Sequence, residues 1–183
     1  MNKVAFEDKR LKGAEFGEFK ASGKSPTGSV PALEVDGLVL TQSNSQIRYA
    51  AKLGEAKLYP ADPLTAFRAD EIMDLCEDAI NTIIPSFGIK DEAERIAARQ
   101  VLVAEGGSLR KFVAVLSKRY AENEGDYFVG DSLTIADLKA GRFLEMLVSG
   151  QLDGVEKDFL EKNFPELNTG KDKIVAKIAE LSA

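Results

Sequence analysis

Apolar residues change their spacing twice along this chain, and the changes divide it. Between Ala32 and Leu40 they form two short runs, ALEV and LVL, separated by Asp36-Gly37. Runs of that length joined by Asp-Gly predict an antiparallel hairpin, because the dipeptide accepts the positive φ angles of a two-residue type I′ turn. The spacing then lengthens. Ile47, Ala50, Ala51 and Leu53 recur at helical intervals as far as Gly54, with Ser43 or Asn44 where an N-cap belongs. A helix starting there aims unpaired N–H groups and the positive end of its dipole beyond Gln42 and Ser43, which suits a carboxylate. The Val30-Pro31 step just before the first strand is a place where proline costs no ladder bond, and where a cis peptide would turn the Val30 backbone edge-on to an extended peptide ligand.

Upstream, Val4–Leu11 reads as a short strand, and ASGKSPTGS after Lys20 is rich in turn-formers and reads as a loop. Downstream, Tyr59-Pro60-Ala61-Asp62-Pro63 is a proline-punctuated linker, beyond which the pattern is wholly helical. The boundaries expected are therefore a domain over 1–58, a linker over 59–63 and an all-helical domain over 64–183. Phe67, Ile72, Leu75, Cys76, Ala79, Ile80 and Ile83 share one face of the first long helix, which Pro85 ends. Its other face carries Asp70, Glu71, Asp74, Glu77 and Asp78, a like-charge arrangement that calls for compensating cations or a partner. A second long helix is expected from Glu92 to Tyr120, bent at Gly106-Gly107. Thr134 and Asp137 have capping-box spacing, and Leu133 and Leu138 that of a hydrophobic staple. A short helix and turn around Phe159 and Phe164 and a terminal amphipathic helix with Ile174, Val175, Ile178 and Leu181 complete the pattern.

Composition removes several classes of chemistry. The chain has 183 residues, enough for one domain or two small ones, with 30% charged and 44% hydrophobic residues as in ordinary soluble proteins. Its net charge of −6 opposes general binding to nucleic acid phosphates or anionic membranes. No apolar run reaches the length of a membrane span, and MNKVAFEDKR has neither a signal core nor a transit pattern, so a cytoplasmic location is expected. The single cysteine, Cys76, precludes an intrachain disulfide and reads as a small buried hydrophobe. With no histidine there is no usual zinc ligand and no Ser-His or Cys-His nucleophile.

The order Val-Pro, strand, Asp-Gly, strand, Gln-Ser, helix with Ile47 and Tyr49, together with the later GDSLTIAD segment, resembles the cytosolic glutathione transferases, and within them the sigma-like group. The resemblance implies an α/β thioredoxin-like N-terminal domain followed by an all-α helical bundle domain. It implies that glutathione binds extended, with Val30 on the cysteinyl backbone and Gln42 and Ser43 on the γ-glutamyl carboxylate. Lys20 would hold the glycyl end beside Phe16, which stands where the family has Trp and can only pack. Asp70 would reach the γ-glutamyl amine of glutathione in a second subunit, so a homodimer is implied.

The family's first strand and first helix have no counterpart here, since only three residues precede Val4. The thioredoxin-like domain is therefore expected to be incomplete, with sheet edges open, and no residue of this sequence inherits the thiol-activating role. The implied activity is conjugation of the glutathione thiol to small hydrophobic electrophiles, or sigma-type prostaglandin isomerisation, with glutathione as co-substrate and no metal required. A divalent cation gathered by Asp74, Glu77 and Asp78, as in the prostaglandin D synthases, stands against a solvated acidic face. The alternative of a different class is a non-catalytic glutathione-binding or structural relative.

Overall fold

The computed structural model describes residues 4–182, which form two compact units, one ending at Leu58 and the other starting at Tyr59. In the first unit α1 (Ala14–Ala21) is followed by a two-stranded antiparallel sheet, β1 (Leu33–Val35) and β2 (Leu38–Leu40), and by α2 (Ser43–Lys52). The register pairs Leu33 with Leu40 and Val35 with Leu38, so Asp36 and Gly37 alone make the turn, at φ 50° and 79°. This is the type I′ hairpin that Asp-Gly predicts.

An expectation for this unit fails. Val4–Leu11 forms no strand; those residues have no regular structure, and Phe6 is 84% exposed. A strand there would need a neighbour to pair with, and the described sheet has only β1 and β2. Phe16 and Lys20 lie on α1.

The second unit is all helical. α3 (Pro63–Ile83) starts at Pro63, with Asp62 as N-cap: Asp62 Oδ2 accepts from Thr65 N at 2.8 Å and Thr65 Oγ1 at 2.7 Å, which holds the Asp62 carboxyl below its usual range. A 3₁₀ turn, Ile84–Gly88, carries Pro85 and ends the helix. The predicted long second helix is instead two, α4 (Glu92–Val103) and α5 (Ser108–Ala121), because Gly106 takes φ 78° and breaks the ladder outright. α6 (Ile135–Val148), α7 (Phe159–Asn163) and α8 (Pro165–Ser182) follow.

α3 packs on α5 and α6, and α8 on α5 and α6, around Ile72, Met73, Leu116, Ile135, Leu144 and Ile174, each at most 2% exposed. Contact between α5 and α8 is close enough that a Cβ on Gly170 would lie 2.2 Å from Tyr120 Cζ. Of the apolar face predicted for α3, Ile72, Cys76, Ala79 and Ile83 are buried, but Phe67 is 64% exposed.

The capping box forms as its spacing predicts. Thr134 Oγ1 accepts from Ala136 N, and Asp137 Oδ2 accepts from Thr134 N at 2.7 Å and from Thr134 Oγ1 at 2.9 Å. Asp137 Oδ1 further accepts from Phe128 N at 2.7 Å, fastening the preceding loop to α6. Burial raises the Asp137 carboxyl above its usual range, against the pull of these hydrogen bonds.

Candidate functional site

Five of the six residues that the resemblance implies as ligands belong to the N-terminal unit: Phe16 and Lys20 on α1, Val30 ahead of β1, and Gln42 and Ser43 at the start of α2. The Val30-Pro31 peptide is cis. Val30 is half exposed and stands three residues ahead of β1. Ahead of it, the turn-former segment is held by its own hydroxyls: Ser25, only 4% exposed, donates to Ser29 O at 3.3 Å, and the Thr27 and Ser29 hydroxyls meet at 2.6 Å.

At the other strand end Gln42, not Ser43 or Asn44, is the N-cap of α2, and Ser43 is already helical. Gln42 makes no side-chain capping bond and sits at φ 71°, ψ 100°, outside the regions an L residue prefers. Its amide is thus not committed to the helix start, and Ser43 stands at the positive end of the α2 dipole.

Phe16 and Lys20 are one turn apart on the same side of α1. The aliphatic stem of Lys20 lies over Gly28, where a Cβ would come 3.3 Å from Lys20 Cγ. Lys20 is thereby laid along the loop that leads to Val30.

Sequence reasoning missed Gln46. Its Nε2 donates to Pro31 O at 3.0 Å and to Leu40 O at 2.8 Å, bridging the two strand ends. Nothing in the spacing marked it, because a glutamine on an amphipathic helix normally reads as a solvated position.

Asp70 belongs to the second unit, on α3, where the Tyr59 hydroxyl donates to Asp70 Oδ2 at 2.9 Å. Other members of the acidic face have cationic partners within that unit: Glu71 pairs with Arg119 at 2.7 Å, and Glu77 with Lys139 at 2.8 Å. The cations that the like-charge spacing calls for thus come from α5 and α6. Among the described residues, no group of three or more metal-ligating side chains is arranged to hold an ion. Also in this unit, a cleft of about 260 Å³ is lined by Leu64, Phe67, Ile72, Arg119, Phe128 and Val129. Cys76 is fully buried and its thiol is pushed up to about 12 by that burial, which removes it as a nucleophile.

Residues 77–180, more than half of the chain, match the family model described as the glutathione S-transferase C-terminal domain. The chain belongs to the glutathione S-transferase family. It is 35% identical over 136 residues to glutathione S-transferase 1 of Ascaris suum, covering 74% of this chain and 64% of that protein. With glutathione S-transferase 3 of Caenorhabditis elegans it shares 30% identity over 169 residues, 89% of this chain and 78% of that one. A solved prostaglandin synthase D of Nilaparvata lugens superimposes with a TM-score of 0.77 at 25% identity, over 94% of this chain and 80% of the other. These likenesses are of the sigma-like kind, and they identify the hairpin unit as a thioredoxin-like domain with fewer strands and the helical unit as the transferase C-terminal domain. No described helix is long and apolar enough to cross a membrane.

Proposed function

We propose that this chain binds glutathione and, as a member of a transferase family, transfers its thiol to small hydrophobic electrophiles. The observation that supports the reading most is the convergence of the Val30 backbone and the Gln42-Ser43 turn at one end of the hairpin, with Gln42 free of any capping duty. Glutathione lies extended: Val30 meets the cysteinyl backbone, Gln42 and Ser43 the γ-glutamyl carboxylate, and Lys20 the glycyl carboxylate, with Phe16 packed beside it. Asp70 approaches the γ-glutamyl amine from a second copy of the chain, so the acting form is a homodimer, placed in the cytoplasm. Glutathione is the co-substrate, and the chemistry asks for no metal. Sigma-type isomerisation, in which the same thiolate attacks a prostaglandin, is the other reaction this site would serve.

A second reading is favoured by one observation. Residues 4–11 form no strand, so among the described residues none stands on the strand from which the family activates the thiol. On that ground the chain is a glutathione-binding protein without turnover.

Calorimetric titration of the 183-residue chain with glutathione, paired with a conjugation assay on a general aromatic electrophile, decides between them. Binding with turnover supports the transferase. Binding without turnover supports the second reading, and a folded chain that binds no glutathione overturns both.

A further inference from the structure

The geometry points to Gln46 as a positioning residue of the glutathione site, its amide tying the Val30-Pro31 step to the Gln42-Ser43 turn; this rests on the reading of the site given above. Gln46 is half-buried on the first turn of α2, and its Nε2 reaches both the Pro31 and Leu40 carbonyls, at 3.0 and 2.8 Å. Both partners are acceptors, so the NH₂ end of the amide must face them, and one side chain commits both of its N–H groups.

The ladder shows why this matters. Pairing between β1 and β2 stops at Leu33 and Leu40, on the side where both strands run out toward the proposed site. Beyond that pair, Pro31 has no N–H to offer a neighbour, and the chain past Leu40 turns into the positive-φ residue Gln42. Sheet bonding therefore does not fix the separation of the two segments; the Gln46 amide does. Apolar packing gives little help, because Ser25, Ala51 and Leu58 are the only buried residues among those described in this unit. In so thin a unit, a satisfied side-chain bridge sets a larger share of the geometry.

The test uses Gln46→Met in the full chain, which keeps the length of the side chain and removes both donors, with glutathione affinity read by calorimetry. The expected result is a dissociation constant raised roughly 5–30-fold, the loss of two neutral hydrogen bonds. Sucrose, which favours compact states, separates the causes. Weakening that persists in sucrose is misplacement of the site, whereas affinity restored to the wild-type value means Gln46 only keeps the unit folded, which overturns the inference. If Gln46→Met does not fold, Gln46→Asn, whose shorter amide falls short of both carbonyls, carries the same test. A wild-type chain that binds glutathione and a Gln46→Met chain that binds it equally well would overturn the role of Gln46 and leave the site standing. A folded wild-type chain that binds none would overturn the site itself.

Discussion

Gln42 is held at φ 71° and ψ 100° without a capping bond to compensate. Backbone of that kind costs on the order of 1–3 kcal/mol in a non-glycine residue, and such costs concentrate where a side chain has a task. Glycine occupies positive φ without penalty. Gln42→Gly is therefore expected to stabilise the N-terminal unit by about 1 kcal/mol and to weaken glutathione binding, so that stability and affinity move in opposite directions. Calorimetric titration and chemical denaturation of the variant check this; reduced stability would mean that the side chain supports the fold more than its backbone strains it. Cys76 gives a contrasting case, a reactive group type made inert. With its thiol pushed up to about 12, the thiolate is on the order of one part in ten thousand at pH 8. Since the folded value lies above the ordinary one, the neutral thiol stabilises the fold at and below ordinary pH, and that contribution fades as pH rises toward 12. Native protein should resist iodoacetamide at pH 8 and gain one adduct per chain once unfolded in urea; rapid labelling of folded protein would show that α3 opens locally.

Among the elements, those built from neighbouring residues were legible and those built from distant ones were not. Asp36-Gly37 carries its turn chemistry in two adjacent positions, and Thr134 with Asp137 forms its capping box within one helical turn; both are found as the spacing predicts. The start of α2 was misplaced by one or two residues because polar side chains at three successive positions, Gln42, Ser43 and Asn44, could each cap it. The break between α4 and α5 reads in the sequence as a bend, since Gly106-Gly107 alone does not distinguish a kink from a stop. What holds those elements lies far off in sequence. Arg99, 3% exposed, pairs with Asp153 and donates to Ser86 Oγ at 2.8 Å; Arg95 pairs with the same Asp153 at 2.7 Å. The Arg99 guanidinium also lies over the Phe87 ring at 4.9 Å. Three segments, the 3₁₀ turn, α4 and the loop ahead of α7, meet at this knot, and no local pattern announces it. Removing the Asp153 carboxylate, itself about a third exposed, takes the ionic partner from Arg95 and from the buried Arg99, so Asp153→Ala should cost about 1–3 kcal/mol in chemical denaturation. A cost below that of an ordinary cap would show that water reaches Arg99 and screens it.

At the scale of the whole molecule, the two units differ in how much apolar surface each removes from water. The helical unit buries full side chains from α3, α5, α6 and α8, whereas the hairpin unit buries Ala51, Leu58 and Ser25 among its described residues. Local opening follows such differences, because few buried contacts and solvent-facing backbone bonds lower the free energy of opening. Amides of β1, β2 and α2 should therefore exchange with deuterium far faster than those of α3 and α6, with the latter approaching the stability of the whole chain. The proposed site makes the sharper part of the prediction. Ligand that binds only the folded hairpin unit stabilises it by mass action, about 2.7 kcal/mol at a concentration one hundred times the dissociation constant. Glutathione should then slow exchange by up to roughly a hundredfold in residues 33–52 and leave the core amides of α6 nearly unchanged. Hydrogen exchange with mass spectrometry resolves segments of that size. Slowing confined to the helical unit would move the ligand to the cleft beside Leu64 and Phe67 and would remove Val30, Gln42 and Ser43 from the site. Equal protection of the two units without ligand would show that the hairpin unit draws its stability from contacts that its own burial does not reveal.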